Sequence, residues 1–107
     1  MSEVFALDQL LAKRSQAKLS YLEFLRVPAM SAGLYVLPIG APDLQKPHKE
    51  DEIYYVIRGK ARMRIGAEER LADEGSVIFV EAGREHHFFD IQQELVVLVV
   101  FAPAESA

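Results

Sequence analysis

The stretch Glu94 to Ala102, ELVVLVVFA, is the strongest single constraint on what this chain can fold into. Branched and aromatic residues favour a strand, and successive side chains of a strand leave on opposite faces. Here both parities are apolar, so both faces need cover, unlike a strand with one wet side. One face can meet the interior of a rolled sheet; the other needs a helix, a second sheet or another subunit. With 107 residues and no cysteine, the chain has room for a single core, and packing alone must hold it.

Elsewhere the pattern is the half-wet one. In the run from Lys60 to Ile65, Ala61, Met63 and Ile65 alternate with Lys60, Arg62 and Arg64, which puts one face in the core and one in water. Tyr21 to Val27, Ala32 to Leu37, Glu52 to Arg58, Glu69 to Ala72 and Val77 to Val80 read as further strands, with a hairpin turn expected at Gly59 and Lys60. Residues 38–47 hold three of the five prolines and read as an extended loop that delivers His48. Leu7, Leu10 and Leu11 have helical spacing, Asp8 is near the start and Arg14 near the end, so a short amphipathic helix is expected over residues 6–16. About eight short strands and one minor helix predict a single all-β domain over residues 1–107, a small antiparallel β-barrel spanning residues 20–102.

Composition excludes several functions. The net charge is −4, and the 26% of residues that are charged show no basic stripe, so no nucleic-acid partner is expected. The longest apolar run, Leu95 to Ala102, is too short to span a bilayer, which predicts no membrane partner and a cytoplasmic protein. The apolar surface of ELVVLVVFA and the first strands exceeds what one small barrel is expected to hide. A homodimer is therefore expected.

All three histidines fall in two stretches, PHKEDEIYYVIRG and GSVIFVEAGREHHFFD. His48 and Glu52 share parity and can leave one face of a strand and its entry loop, while His86 begins a later strand. Two neutral imidazoles and one carboxylate converging on a point make a facial set for a divalent first-row ion such as Fe, Mn, Ni or Zn, with other coordination positions free.

The spacing resembles that of the cupins, whose motifs run G-x5-H-x-H-x3,4-E-x6-G and G-x5-P-x-G-x2-H-x3-N. Gly40, His48, Glu52 and Gly59 match the first and Gly75, Gly83 and His86 the second, with Asp90 in the Asn place, Lys46 where the first His stands and Glu81 where the Pro stands. The resemblance implies a cupin-like, jelly-roll barrel with a metal in its mouth, held by His48, Glu52 and His86. Gln45, Glu50 and His87 are the other residues placed to offer a ligand atom. Tyr54, which shares parity with Glu52, and Lys46 are the candidates for proton transfer. The function so implied is a metal-dependent enzyme of dioxygenase or isomerase type acting on a small organic substrate. The alternative is a non-catalytic module that binds a sugar or metabolite over a degenerate metal site.

Overall fold

The computed structural model describes residues 2–106. A helix α1 (Leu7–Ala17) precedes six strands: β1 (Tyr21–Val27), β2 (Met30–Leu37), β3 (Asp51–Ile65), β4 (Glu68–Asp73), β5 (Val77–Val80) and β6 (His86–Ala102). All pairings are antiparallel, in the order β1-β2-β6-β3-β4, with β5 pairing the first half of β3 on the edge that β4 takes along its second half. The all-β, jelly-roll-like class stands. The ladder is not closed into a continuous barrel, and the strands are fewer and longer than the turn signals suggest.

Two corrections share one cause. A hairpin turn is expected at Gly59; instead β3 runs on through it, and the register with β6 shifts three times between Val56 and Arg62, once across Gly59 itself. The glycine is there for close approach: its φ is +108°, and an added Cβ would lie 2.3 Å from the Glu94 carbonyl oxygen. A side chain at a bulge of this kind would push the two strands apart. Likewise β6 is one strand from His86 to Ala102 rather than a strand begun at His86 and a separate one from Glu94. Turn residues within a long strand mark a bend as readily as an end.

The bends fold the two long strands into two layers. The first half of β3 pairs with β5 on one side and with the last part of β6 on the other, whereas its second half pairs with β4 and the first part of β6. Between the layers lies the main core, including Tyr54, Val56, Met63, Phe88, Leu95, Val97 and Val99. Rolling also moves the ends of the β3–β6 ladder together. Glu52 pairs with Phe101 and Ile65 with His86, so Glu52 and His86 stand at opposite ends. In a flat sheet they would be about 40 Å apart at about 3.3 Å per residue.

The outer face of the last strand finds its cover within the chain. Val96 packs with Leu34 and Val36, and Leu10 and Leu11 of α1 close over them. The helix lies one residue later than expected and is capped by Lys18, whose left-handed φ of 56° goes with its own N–H donating to the Ser15 carbonyl and the Leu19 N–H to the Arg14 carbonyl. Among the described residues no helix is long and apolar enough to cross a membrane.

Candidate metal centre

Rolling alone does not position His48, which belongs to the loop between β2 and β3. Two hydrogen bonds stitch that loop to the turn before β6: the Gly83 N–H donates to the His48 carbonyl at 2.7 Å, and the Ala82 N–H to Asp51 Oδ1 at 2.9 Å. A third contact pins the loop's middle, the Phe88 N–H donating to Asp43 Oδ2 at 2.8 Å. The result is that His48, Glu52 and His86 each offer a ligand atom within 4.8 Å of the other two. This is the set the sequence implied.

Hydrogen bonding around the set decides which way each lone pair faces. The carbonyl of Arg84 lies 2.8 Å from His86 Nδ1, an acceptor that places the proton there and leaves the Nε2 lone pair facing inward. Glu105 Oε2 lies 3.2 Å from His48 Nδ1, an acceptor for a proton on that nitrogen. The Gln45 amide donates through Nε2 to Asp43 Oδ2 at 2.8 Å, which turns its Oε1 toward His48 Nε2 at 3.1 Å. Glu52 is 2% exposed, and among the described residues neither carboxylate oxygen has a hydrogen-bond partner. His86 Nε2 is 3.1 Å from Glu52 Oε1, but in a ring protonated at Nδ1 that contact is lone pair against lone pair.

Four acceptors therefore face one another across a buried space: two imidazole nitrogens, a carboxylate and an amide oxygen. A single proton is aimed among them, that of the Tyr54 hydroxyl, which is 2.9 Å from Gln45 Oε1 and 3.0 Å from His86 Nε2. Such an arrangement is costly unless a cation enters it. The basicity of His86 answers the same field. Burial would lower its pKa, yet the Glu52 carboxylate, the Arg84 carbonyl and Asp43 outweigh burial and raise it. Tyr54 is held well above the ordinary phenol value, by burial first and Glu52 second, so it keeps its proton. A divalent ion fits this donor set in both chemistry and charge.

The set opens on a cavity of about 460 Å³. Val36, Leu37, Pro42, Leu44, Val99 and Phe101 supply apolar walls, Tyr21 and Tyr35 flank it, and among the described residues no lysine or arginine lines it. Gly33 makes room for one of those walls, since an added Cβ would collide with the Tyr21 ring.

Of the other sequence candidates, Gln45 faces the set. Lys46 is exposed and absent from the cavity lining. Glu50 is buried but accepts from the Ser106 N–H and hydroxyl. His87 points the other way, onto Phe89. Asp43 and Glu105 were missed: an aspartate in a proline-rich loop and a glutamate beyond the last strand carry no local signal.

Fold and donor set together point to the cupin class, a jelly-roll-like sheet carrying a His-Glu-His group with the spacing to hold a metal, and the chain belongs to the cupin family: the family model described as Cupin domain matches residues 33–101. An uncharacterized protein of Streptomyces coelicolor is 47% identical over 104 residues, covering 97% of this chain and 99% of that one. Among solved structures, TT1209 from Thermus thermophilus is similar with a TM-score of 0.75 and 28% identity, over 96% of this chain and 99% of that chain. BH2720 from Bacillus halodurans superposes with a TM-score of 0.78 at 14% identity, over 98% and 85% of the two chains, and shows the shared fold alone.

Proposed function

We propose that this cupin binds a divalent first-row ion through His48, Glu52 and His86 and acts on a small uncharged organic molecule seated in the adjoining cavity. The observation that carries the reading is the buried Glu52 carboxylate, which has no donor and faces the lone pairs of its neighbours. An ion so held supplies Lewis acidity and, where the metal is redox-active, electron exchange, the chemistry of isomerase- and dioxygenase-type reactions. Gln45 Oε1 stands ready as a further oxygen donor. The cation-free, apolar wall favours a neutral molecule over a phosphorylated one. Tyr54 holds a proton at its Oη beside the set and is the group placed to share it with a bound molecule. Lys46, facing solvent, takes no part.

Elemental analysis of protein purified without chelator tests the site. Wild type is expected to retain stoichiometric metal, and His48→Ala, Glu52→Ala and His86→Ala to lose it. Full metal content in Glu52→Ala and His86→Ala would overturn the reading. A second reading, a non-catalytic binding module, draws on Gln45: with its oxygen added, four protein donors leave fewer positions for reacting groups. Turnover of no substrate by protein carrying stoichiometric metal would favour it.

The homodimer also stands as a proposal, on changed grounds. The last strand is covered within the chain, but Ile53 pairs with Phe79 and Tyr55 with Val77 across β3 and β5, and all four are exposed. An apolar row beside the edge strand β5 suits burial against a second copy. Sedimentation showing a monomer at micromolar concentration would remove the claim.

A further inference from the structure

Four polar or charged residues of the described chain are buried: Glu52, His86, Ser31 and Glu50. The first two belong to the metal set. The other two have a different employment, because both hold the segment that follows β6. Ser31 Oγ accepts the Glu105 N–H at 2.9 Å, and Glu50 Oε2 accepts the Ser106 N–H at 3.1 Å and the Ser106 hydroxyl at 2.7 Å. Arg26, itself paired with Glu23, donates to the Glu105 carbonyl at 2.6 Å. Glu105 and Ser106 are thereby strapped against the sheet beside the cavity that Glu105 lines.

This strap brings the Glu105 carboxylate to 3.2 Å from His48 Nδ1, and Glu105 itself lines the cavity. A loop histidine that is part-exposed needs such a partner, since nothing in its own backbone fixes the ring. His86 has the Arg84 carbonyl two residues away; His48 has no local equivalent, its other ring nitrogen facing Gln45. Burying polar groups to anchor a short irregular segment is costly, and the group delivered by that anchoring is one carboxylate.

We propose that Glu105 is the positioning residue of His48: it holds the proton on Nδ1 and so presents Nε2 to the ion. The proposal rests on the metal reading above, and it extends the site to a part of the chain outside both motif stretches. None of the strap's anchoring bonds uses the Glu105 carboxylate, so changing that side chain leaves the strap in place. Carboxylate partners of ligating histidines typically contribute about 10–100-fold in metal affinity.

The experiment is titration of Co²⁺ into metal-free wild type, Glu105→Ala, Glu105→Gln and His48→Ala, with thermal unfolding as the check on folding. A matched charge change on an exposed turn, Glu74→Gln, serves as control. Glu105→Ala is expected to weaken Co²⁺ binding about 10–100-fold and alter its visible absorption, Glu105→Gln less, because its amide oxygen still accepts from Nδ1, and Glu74→Gln not at all. Wild-type affinity in Glu105→Ala, beside lost binding in His48→Ala, overturns the proposal while leaving the metal reading intact. If wild type itself binds no Co²⁺, the metal reading fails, and nitrogen NMR of the His48 ring at pH 8 still decides. An Nδ1–H tautomer that is lost in Glu105→Ala supports the positioning role; a ring state indifferent to the substitution ends it. Should Glu105→Ala not fold, the same two readouts on Glu105→Gln decide, with wild-type values in both counting against the proposal.

Discussion

The two histidines of the site are held by walls built in different ways. His86 starts a long strand, its ring is fixed by a carbonyl two residues before it, and its neighbour Phe88 is locked in the core at 1% exposure. His48 sits on a loop without regular structure and depends on groups from three segments: Asp43 through Gln45 in its own loop, the Gly83 N–H, and Glu105 on the strap. One wall is framework and the other is assembly. Orienting groups drawn from distant segments form only once the whole fold has closed, so the assembled wall is the place where ligand geometry can change without loss of the core.

The largest expected effect tests whether the assembled wall opens by itself. Tyr21 and Tyr35 on that side and Tyr54 on the framework side all have pKa values raised above the ordinary 10.0, by burial first, with Asp43 adding to it for Tyr35 and Glu52 for Tyr54. A phenol whose folded pKa exceeds its unfolded one stays protonated in the native state while the unfolded chain loses the proton. Stability is therefore unaffected below about pH 9 and falls as pH climbs through and beyond 10. Absorbance at 295 nm should show these phenolates only as circular dichroism reports global unfolding. Tyr35 ionising near pH 10 in an otherwise native protein would show that the loop side opens independently.

A smaller effect separates the walls by mutation. Phe88→Ala removes a fully buried ring and is expected to cost about 3–5 kcal/mol in denaturant unfolding, because the core cannot refill the space. Asp43→Ala should cost less, about 1–3 kcal/mol, although it strips the acceptor from Tyr35, Gln45 and the Phe88 N–H at once. Its distinguishing consequence lies in the site: the Gln45 amide becomes free to turn, and metal affinity should fall out of proportion to stability. Equal losses of stability in the two variants would erase the contrast between framework and assembly.

Much of this was readable from residue order. Val77–Val80 and Tyr21–Val27 are strands with the bounds their composition suggests, and His48, Glu52 and His86 are announced by spacing, since motif residues within one stretch owe their relation to local geometry. Gly59 misled because a glycine that admits a neighbouring carbonyl and one that turns a hairpin look alike in sequence. Gln45 was in view as a loop residue, but its orientation depends on Asp43, and that of Asp43 on Tyr35 and Phe88. Such chains of partners have no signature in order alone.

What the sequence determined by itself is therefore the donor types, the strand-forming runs and the need for cover on both faces of ELVVLVVFA, all properties of side chains and their period. What only the tertiary structure decided is the convergence. Glu52 and His86 stand at opposite ends of one ladder, and Glu105 lies beyond it, so their meeting depends on bulges that roll two long strands into layers and on the anchoring of the segment after β6 by Ser31 and Glu50. Long-range placement is set by accumulated twist, bend and packing across the whole sheet, which no local stretch of residues contains.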